Sequence, residues 1–266
     1  MSETVGVIGA GRMGLPIIGH LASKGFRTLA TDVDPSRKAP VEERKAQWAP
    51  TLEALAKEAT VMLVCVGFDR ELRELFARMT PGKGAIVAVL STVNPRTVQA
   101  LAKEAHARGF HLVDSTVCRG GRAADQGTLL SFVGGPAGVV ERLTPVLRAY
   151  SSDVVHSGEI GSAQVAKAAN NLILWACLVA NHEALALASC YGVDTEKLRR
   201  ALMLSSAAND SLDKWGTQTM AWAEDDMAIV AEMAVECGLA LPQAGVNREI
   251  CRALKPRRYK LDRYGR

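Results

Sequence analysis

The segment GSAQVAKAANN, residues 161–171, holds side chains that could move a proton. Lys167 and Asn171 are four residues apart, so on a helix they share one face. The surrounding helix is apolar, and an unpaired lysine there is costly unless it lines a cavity. A lysine in such a cavity is a candidate proton donor and acceptor. The alternative is a lysine whose long side chain reaches solvent, with asparagines that cap a kink.

A glycine motif near the N-terminus is typical of dinucleotide binding. Gly9, Gly11 and Gly14 stand in GAGRMG, after a predicted strand and at the start of a predicted helix. They permit a tight turn, the approach of a pyrophosphate and close packing of helix on strand. The next predicted strand ends at Asp32, whose carboxylate would bind the ribose hydroxyls and repel a 2′-phosphate. We therefore predict NAD as the cofactor, with NADP possible because Arg37 is close in sequence.

The segment DSTVCRGGRAADQGTL, residues 114–129, follows the end of another predicted strand. Its glycines offer backbone amides to an acid group, and Arg119 offers a bidentate guanidinium to the same carboxylate. The alternative for Arg119 is a side chain that points to solvent.

The elements that must position these residues form two different halves. From residue 5 to about residue 156, short runs of Val, Ile and Leu alternate with amphipathic segments, which predicts a parallel sheet covered on both faces. From residue 161 the strands stop, and residues 161–191 read as one helix that is apolar nearly all round. The predicted fold is α/β: an N-terminal doubly wound Rossmann domain, residues 1–160, and an all-α domain, residues 161–266. Because a monomer could hardly cover such a helix, we expect a homodimer or homotetramer.

Composition excludes several classes of protein. The last twelve residues hold six basic residues and one acidic residue, a charge of +5, so the other 254 residues sum to −1 and no basic face remains for nucleic acid. We expect this tail to be a solvated chain end. No apolar run reaches the length of a membrane span, and the N-terminus does not resemble a secretion signal. The six cysteines show neither CxxC nor metal-ligand spacing, so we predict a cytoplasmic protein without disulfides, metal or membrane contact.

Four motifs, in order along nearly the whole chain, resemble those of the β-hydroxyacid dehydrogenase family. This family includes 3-hydroxyisobutyrate, tartronate-semialdehyde and 6-phosphogluconate dehydrogenases. VGVIGAGRMGLPI resembles its cofactor fingerprint and STVNP its cofactor-side turn. DSTVCRGGRAADQGTL is similar to its substrate motif, and GSAQVAKAANN matches its catalytic Gly-x-x-x-Lys-x-x-x-Asn. The resemblance implies an NAD(P)-dependent oxidoreductase that interconverts a 3-hydroxy acid and its semialdehyde or keto acid by hydride transfer.

The same resemblance implies a role for each matched position. Lys167 would be the general acid and base, and Asn171 would hold the substrate hydroxyl. The residues implied to bind the cofactor are Gly9, Gly11, Arg12, Met13, Gly14, Asp32, Cys65, Val66 and Thr92. The residues implied to bind the small hydroxy-acid or semialdehyde substrate are Cys118, Arg119, Gly120 and Asn170.

The chain departs from the family at two motifs. Cys118 and Arg119 stand where the family has serine and glycine. In a late helix, Asp225 takes the place of a lysine that closes over the cofactor. Two alternatives therefore stay open beside the dehydrogenase: a decarboxylating enzyme of the 6-phosphogluconate type and a non-catalytic NAD-binding protein. An imine reductase is less favoured, since such enzymes typically lack the lysine that is present here.

Overall fold

The computed structural model describes residues 3–255 and 259–264. Its strands are β1 (Thr4–Ile8), β2 (Arg27–Thr31), β3 (Gln47–Trp48), β4 (Val61–Val64), β5 (Ile86–Val89), β6 (His111–Asp114), β7 (Val117–Cys118), β8 (Leu129–Gly134) and β9 (Ser151–Gly158). Its helices are α1 (Gly14–Ser23), α2 (Lys38–Glu43), α3 (Leu52–Glu58), α4 (Asp69–Arg78), α5 (Pro95–Ala107), α6 (Gly120–Gln126), α7 (Ala137–Leu147), α8 (Ser162–Cys190), α9 (Thr195–Leu202), α10 (Asp210–Asp213), α11 (Ala223–Glu236) and α12 (Pro242–Leu254). Two 3₁₀ turns lie at Pro35–Arg37 and Leu261–Arg263.

The strands form one sheet in the order β3-β2-β1-β4-β5-β6-β8-β7, with β9 also paired to β8. Successive residues of the central strands belong to opposite cores: Val61 and Leu63 pack into one, Met62 and Val64 into the other. Because side chains alternate across a strand, a run such as VMLV is buried only when helices cover both faces of the sheet. The predicted doubly wound α/β fold with a helical C-terminal region is confirmed.

The sheet is not wholly parallel, which the alternation of strands and helices did not predict. β8 runs antiparallel to β6 and β7, while its other edge pairs in parallel with β9. The cause is the short connection through α6, because a helix of seven residues is too short for a right-handed crossover between parallel strands. This reversal places the glycine-rich segment after Cys118 at a turn beside the ends of β6 and β7.

The chain divides into two compact units, Met1–Lys167 and Ala168–Arg266. The division falls inside α8, since the first turns of this helix pack with the sheet and the remainder with α11 and α12. The second unit has its own apolar core around Trp175, Leu178 and Met227. The domain boundary after residue 160 stays a prediction.

Helix α8 has the predicted extent and leaves apolar side chains exposed. It spans 29 residues, and Val165, Ile173 and Leu187 are 49%, 63% and 63% exposed. By length and composition α8 could cross a membrane, with a mean hydropathy of 1.5 in its most apolar window, but core helices of globular proteins pass the same test. The expectations of a homo-oligomer and of no membrane contact stay predictions.

The described part of the basic tail lies against α8 rather than in solvent. The backbone N–H of Tyr259 donates to Nε2 of His182 at 3.2 Å, and the two rings stack at 5.5 Å. The hydroxyl of Tyr264 donates to Glu183 at 2.8 Å. The prediction of a solvated end is therefore wrong for these tyrosines, whose rings both stack on His182 of the helix. For residues 256–258 and 265–266 of the tail, the same prediction lies outside the described residues.

Candidate functional site

The glycine turn between β1 and α1 has the shape that a dinucleotide phosphate requires. Gly9 has φ of +97°, and a Cβ there would lie 2.4 Å from the carbonyl oxygen of Cys65. A Cβ at Gly14 would lie 1.9 Å from the oxygen of Gly9, whereas one at Gly11 would meet nothing within 4 Å. The N-cap Met13 makes no side-chain hydrogen bond to the first turn of α1. The open face at Gly11 and the start of α1, which no side chain caps, fit a pyrophosphate.

Asp32 lies where the second strand ends and is tied to the same turn. Its Oδ2 accepts a hydrogen bond from the N–H of Ala10 at 2.6 Å, and its Oδ1 accepts one from Asp34 at 2.9 Å. The carboxylate thus stands beside the glycine turn, as the adenosine ribose of a dinucleotide would need. Arg37 pairs with Asp34 at 3.6 Å, at the exposed start of the next segment.

The other residues expected at the cofactor lie where β4 and β5 end. The thiol of Cys65 packs against a core of the sheet, and burial raises its pKa to about 12, so it stays a neutral thiol. The N–H of Val66 donates to the hydroxyl of Ser91 at 3.0 Å, which joins the end of β4 to the residue before Thr92. These contacts bring Val66 and Thr92 to the same edge of the sheet as the glycine turn.

Lys167 meets the predicted substrate motif directly. Its Nζ donates a hydrogen bond to the carbonyl oxygen of Val117 at 2.8 Å and lies 3.9 Å from Sγ of Cys118. Lys167 is half-buried and Cys118 is buried. Two motifs that are about fifty residues apart in sequence are therefore in contact. The ammonium group is held at the end of β7 and is not extended into solvent, so the alternative of a solvent-directed lysine does not fit this geometry.

Two buried polar residues hold the start of α8, and the sequence analysis did not assign either of them to the site. The carboxylate of Asp114 accepts hydrogen bonds from the N–H groups of Gly161 at 2.8 Å and Gln164 at 2.9 Å. The hydroxyl of Thr116 donates to the oxygen of Ala163 at 2.9 Å. Burial raises the pKa of Asp114, and the two amide hydrogen bonds oppose this shift. The first residues of the substrate motif thereby position the start of α8, and with it Lys167.

Gln164 connects this helix to the cofactor side. Its Nε2 donates to the oxygen of Ser91 at 2.8 Å, and its Oε1 accepts from the N–H of Val93 at 3.0 Å. The side chain is almost fully buried, with 1% exposed. Thr92 lies between the two residues that Gln164 holds. The only sequence signal for Gln164 was its place inside the lysine motif, since a polar residue three before Lys167 does not reveal its partners.

Arg119 is held by its own neighbours. It adopts φ of +83°, in the left-handed region that a residue with a Cβ rarely enters. Its Nη1 donates to Asp153 at 2.6 Å, Ser152 at 2.8 Å and the oxygen of Thr128 at 3.2 Å. The guanidinium lowers the pKa of the exposed Asp153. To reach a substrate carboxylate, Arg119 would have to leave these partners, so its predicted substrate contact stays a prediction that the geometry does not favour.

Gly121, the second of the two consecutive glycines, lies against the side chain of Arg12. A Cβ at Gly121 would lie 2.5 Å from Nη2 of Arg12, whose guanidinium crosses from the cofactor turn to α6. Arg12 pairs with Asp125 on α6 through two hydrogen bonds of 2.7 Å each. The first glycine, Gly120, follows Arg119 with φ of +74°, so two successive left-handed residues begin α6.

The remaining predicted residues lie in the second unit. Asn171 is buried and accepts a hydrogen bond from Nδ2 of Asn170 at 3.0 Å. Asp225 is exposed in the first turn of α11, where negative charge favours the helix dipole. The neighbouring Asp226 accepts from the indole nitrogen of Trp175 at 2.9 Å, which ties α11 to α8. The structure thus has an acidic residue at the start of α11, where the family has its lysine.

Known proteins with a similar sequence or fold include dinucleotide-dependent dehydrogenases. The family model for the NAD binding domain of 6-phosphogluconate dehydrogenase matches residues 4–158, and that for the NAD-binding of NADP-dependent 3-hydroxyisobutyrate dehydrogenase matches residues 161–262. A 3-hydroxyisobutyrate dehydrogenase of Pseudomonas aeruginosa is 31% identical, over 90% of this chain and 85% of its own. The NAD-dependent L-serine dehydrogenase of that organism is 27% identical, over 79% and 72%. The solved Mycobacterium tuberculosis 3-hydroxyisobutyrate dehydrogenase with L-serine, 21% identical, superposes with a TM-score of 0.88 over 97% of this chain and 95% of its own.

Proposed function

Because the chain belongs to the β-hydroxyacid dehydrogenase family, we propose that it oxidises a small 3-hydroxy acid, or reduces the matching semialdehyde or keto acid, with Lys167 as the proton-transfer residue. The chain is an NAD(P)-dependent oxidoreductase that acts on CH–OH groups. The role of Lys167, the substrate and the preference for NAD over NADP are the proposed parts.

The contact of Lys167 with the end of β7 is the observation that carries the proposal. With one N–H donated to Val117 and a second directed at Sγ of Cys118, the ammonium keeps a third hydrogen for a substrate oxygen beside the substrate motif. In the reducing direction Lys167 donates a proton to the carbonyl oxygen, and in the oxidising direction it accepts the proton of the alcohol. The bound nicotinamide accepts or supplies the hydride.

The remaining residues would position the substrate. We propose that Asn171 holds the reacting hydroxyl, one helical turn after Lys167, and that Asn170 supports Asn171 through their amide contact. Cys118 and the amides that follow it at Gly120 would receive the acid end of the substrate. A thiol at residue 118 is a weaker hydrogen-bond donor than a hydroxyl, so the wall it forms favours a less polar side group. The homologues are named for 3-hydroxyisobutyrate and L-serine, and both are candidate substrates for this chain.

A screen of 3-hydroxy acids with NAD and with NADP, followed by the absorbance of the reduced nicotinamide, identifies the substrate. With that substrate, Lys167→Ala should lower kcat by roughly 10²- to 10⁴-fold, the usual contribution of general acid–base catalysis. Lys167→Arg should rescue little, because a guanidinium does not release its proton at neutral pH. The dissociation constant of NADH should barely change. The matched control is Lys38→Ala, since Lys38 is exposed and pairs with Glu42.

Three outcomes distinguish the proposal from its alternatives. If Lys167→Ala keeps more than about a tenth of the wild-type kcat, general acid–base catalysis by Lys167 is wrong. If NADH binds but no substrate turns over, the chain is a non-catalytic dinucleotide-binding protein, to which the acidic residue at position 225 lends weight. Release of carbon dioxide with a sugar acid would favour the decarboxylating type instead.

A further inference from the structure

Arg12 belongs to the predicted cofactor turn, yet its side chain is bound elsewhere. Nη1 donates to Oδ1 of Asp125 and Nη2 to Oδ2, each at 2.7 Å, in a bidentate pair between the turn and α6. Each partner favours the charged form of the other: the pair lowers the pKa of Asp125 and raises that of Arg12. Beside it, Nε2 of His20 on α1 donates to the oxygen of Ala124 at 3.0 Å. Helix α6 is therefore tied to the cofactor turn through Arg12 and to α1 through His20.

The position of the guanidinium depends on the substrate motif. A Cβ at Gly121 would lie 2.5 Å from Nη2, 2.7 Å from Cζ and 2.8 Å from Nε of Arg12. Any side chain other than hydrogen at this residue would displace the guanidinium. The cofactor turn and the first turn of α6 thus meet face to face, and Gly121 leaves the room for that contact.

Asp125 and a dinucleotide would use the same cation. Arg12 directly follows Gly11, whose open face at the uncapped start of α1 fits a pyrophosphate, so Arg12 is next in sequence to the turn that would hold the phosphates. A guanidinium binds a carboxylate and a phosphate through the same two N–H groups. The side chains of Arg12 and Asp125 are 60% and 54% exposed. An exposed pair of this kind stabilises the protein by only about 0.2–1 kcal/mol, so a bound phosphate can replace the carboxylate.

We propose that Asp125 competes with the dinucleotide for Arg12 and so lowers the affinity of the protein for the cofactor. The same competition couples cofactor binding to the contacts of α6. Without cofactor, Asp125 holds Arg12 across Gly121. When the pyrophosphate takes the guanidinium, α6 keeps its tie through His20 but loses the ion pair. Helix α6 begins directly after Cys118 and Arg119, so cofactor binding alters the restraint on the substrate motif. If a substrate binds the motif more tightly once the ion pair is broken, the bound cofactor raises the affinity for that substrate. By linkage, the bound substrate then raises the affinity for the cofactor by the same factor. The proposal rests on dinucleotide binding and is independent of the role of Lys167.

The test measures the dissociation constant of NADH, by its fluorescence or by calorimetry, for the full chain without substrate. Asp125→Asn keeps the shape of the side chain but releases Arg12, and we expect NADH to bind about two- to fivefold more tightly, which corresponds to the strength of an exposed pair. Arg12→Gln should weaken binding. In the Arg12→Gln background, Asp125→Asn should have no further effect, because no guanidinium is left to release.

The matched control removes an equal charge elsewhere. Glu53 forms an exposed pair with Arg78 at 3.2 Å, so Glu53→Gln changes the net charge by the same amount without releasing Arg12. We expect this variant to bind NADH as the wild type does. The proposal is overturned if Asp125→Asn leaves the NADH dissociation constant unchanged or raises it. It is also overturned if Asp125→Asn tightens binding equally with and without Arg12, since the effect is then general charge repulsion.

Discussion

The hydrogen bonds of Gln164 allow a quantitative test of how the start of α8 is held. Gln164→Leu keeps the volume of the side chain but leaves the carbonyl of Ser91 and the N–H of Val93 without this partner. Both residues are buried, with 6% and 1% exposed, so water cannot readily replace the amide. Each unsatisfied buried group costs about 1–3 kcal/mol, and the more apolar leucine offsets part of the loss. We expect the free energy of unfolding to fall by about 2–4 kcal/mol.

A second glutamine supplies the matched control. Gln99 donates one longer hydrogen bond, of 3.2 Å, to the oxygen of Ile160, and it is only half-buried. Gln99→Leu should therefore lower the free energy of unfolding by about 1 kcal/mol or less. Both variants are measured by urea denaturation followed by circular dichroism, together with their NADH dissociation constants. Only Gln164→Leu should also weaken NADH binding, because Gln164 holds the residues on both sides of Thr92.

The comparison between the two variants decides the question. If Gln164→Leu unfolds within about 0.5 kcal/mol of Gln99→Leu, the two buried hydrogen bonds do not hold this segment as the distances suggest. If Gln164→Leu is destabilised but binds NADH with unchanged affinity, Gln164 stabilises the fold without positioning the cofactor side.

Three further predictions follow from single residues. Arg119→Gly removes the strain of a left-handed φ but also removes an exposed ion pair to Asp153, so we expect the stability to be unchanged or slightly higher. We also expect the substrate KM to stay within about threefold of the wild-type value. A tenfold rise in KM would show that Arg119 binds the substrate. Burial lowers the pKa of His182 below its usual 6.5, so the unfolded state takes up a proton at a higher pH than the folded state does. The free energy of unfolding should therefore fall as the pH drops below about 6.5. An NMR titration that places the pKa of His182 in the folded protein at or above 6.5 would contradict this prediction. Asp32 should make kcat/KM higher with NAD than with NADP, and Asp32→Ser should narrow the difference; a preference of the wild type for NADP of about tenfold or more would refute this reasoning.

Local sequence pattern predicted much of the first unit because its signals act over short distances. Buried strands such as β4 need an unbroken apolar run, and the turn before α1 needs glycine at Gly9, where φ is positive. Asp194 directly precedes α9 and caps it, since its carboxylate accepts hydrogen bonds from the N–H groups of Glu196 and Lys197. In each case the residues that decide the structure are neighbours along the chain.

The elements that the sequence did not reveal depend on partners far away in the chain. Strand β9, SSDVVHSG, carries little apolar pattern and is a strand because β8 pairs with it along its length. Helix α6 contains two glycines, so its own helix propensity is weak. It is held in place by Arg12 of the cofactor turn and by His20 of α1. The charge of Arg119 suggested a substrate contact, but the fold supplies Asp153 as its partner.

For the site as a whole, the sequence alone indicated which residues are candidates for the chemistry. Short segments of the sequence contain the glycine turn, Asp32, and the four-residue spacing of Lys167 and Asn171. Only the tertiary structure decided what those residues touch: Lys167 donates to Val117, Asp114 and Gln164 hold the start of α8, and Arg12 is shared with Asp125. The reason is physical. Backbone conformation and helical spacing are set by adjacent residues, whereas a polar side chain takes whichever donor or acceptor the packed sheet and helices bring within about 3 Å.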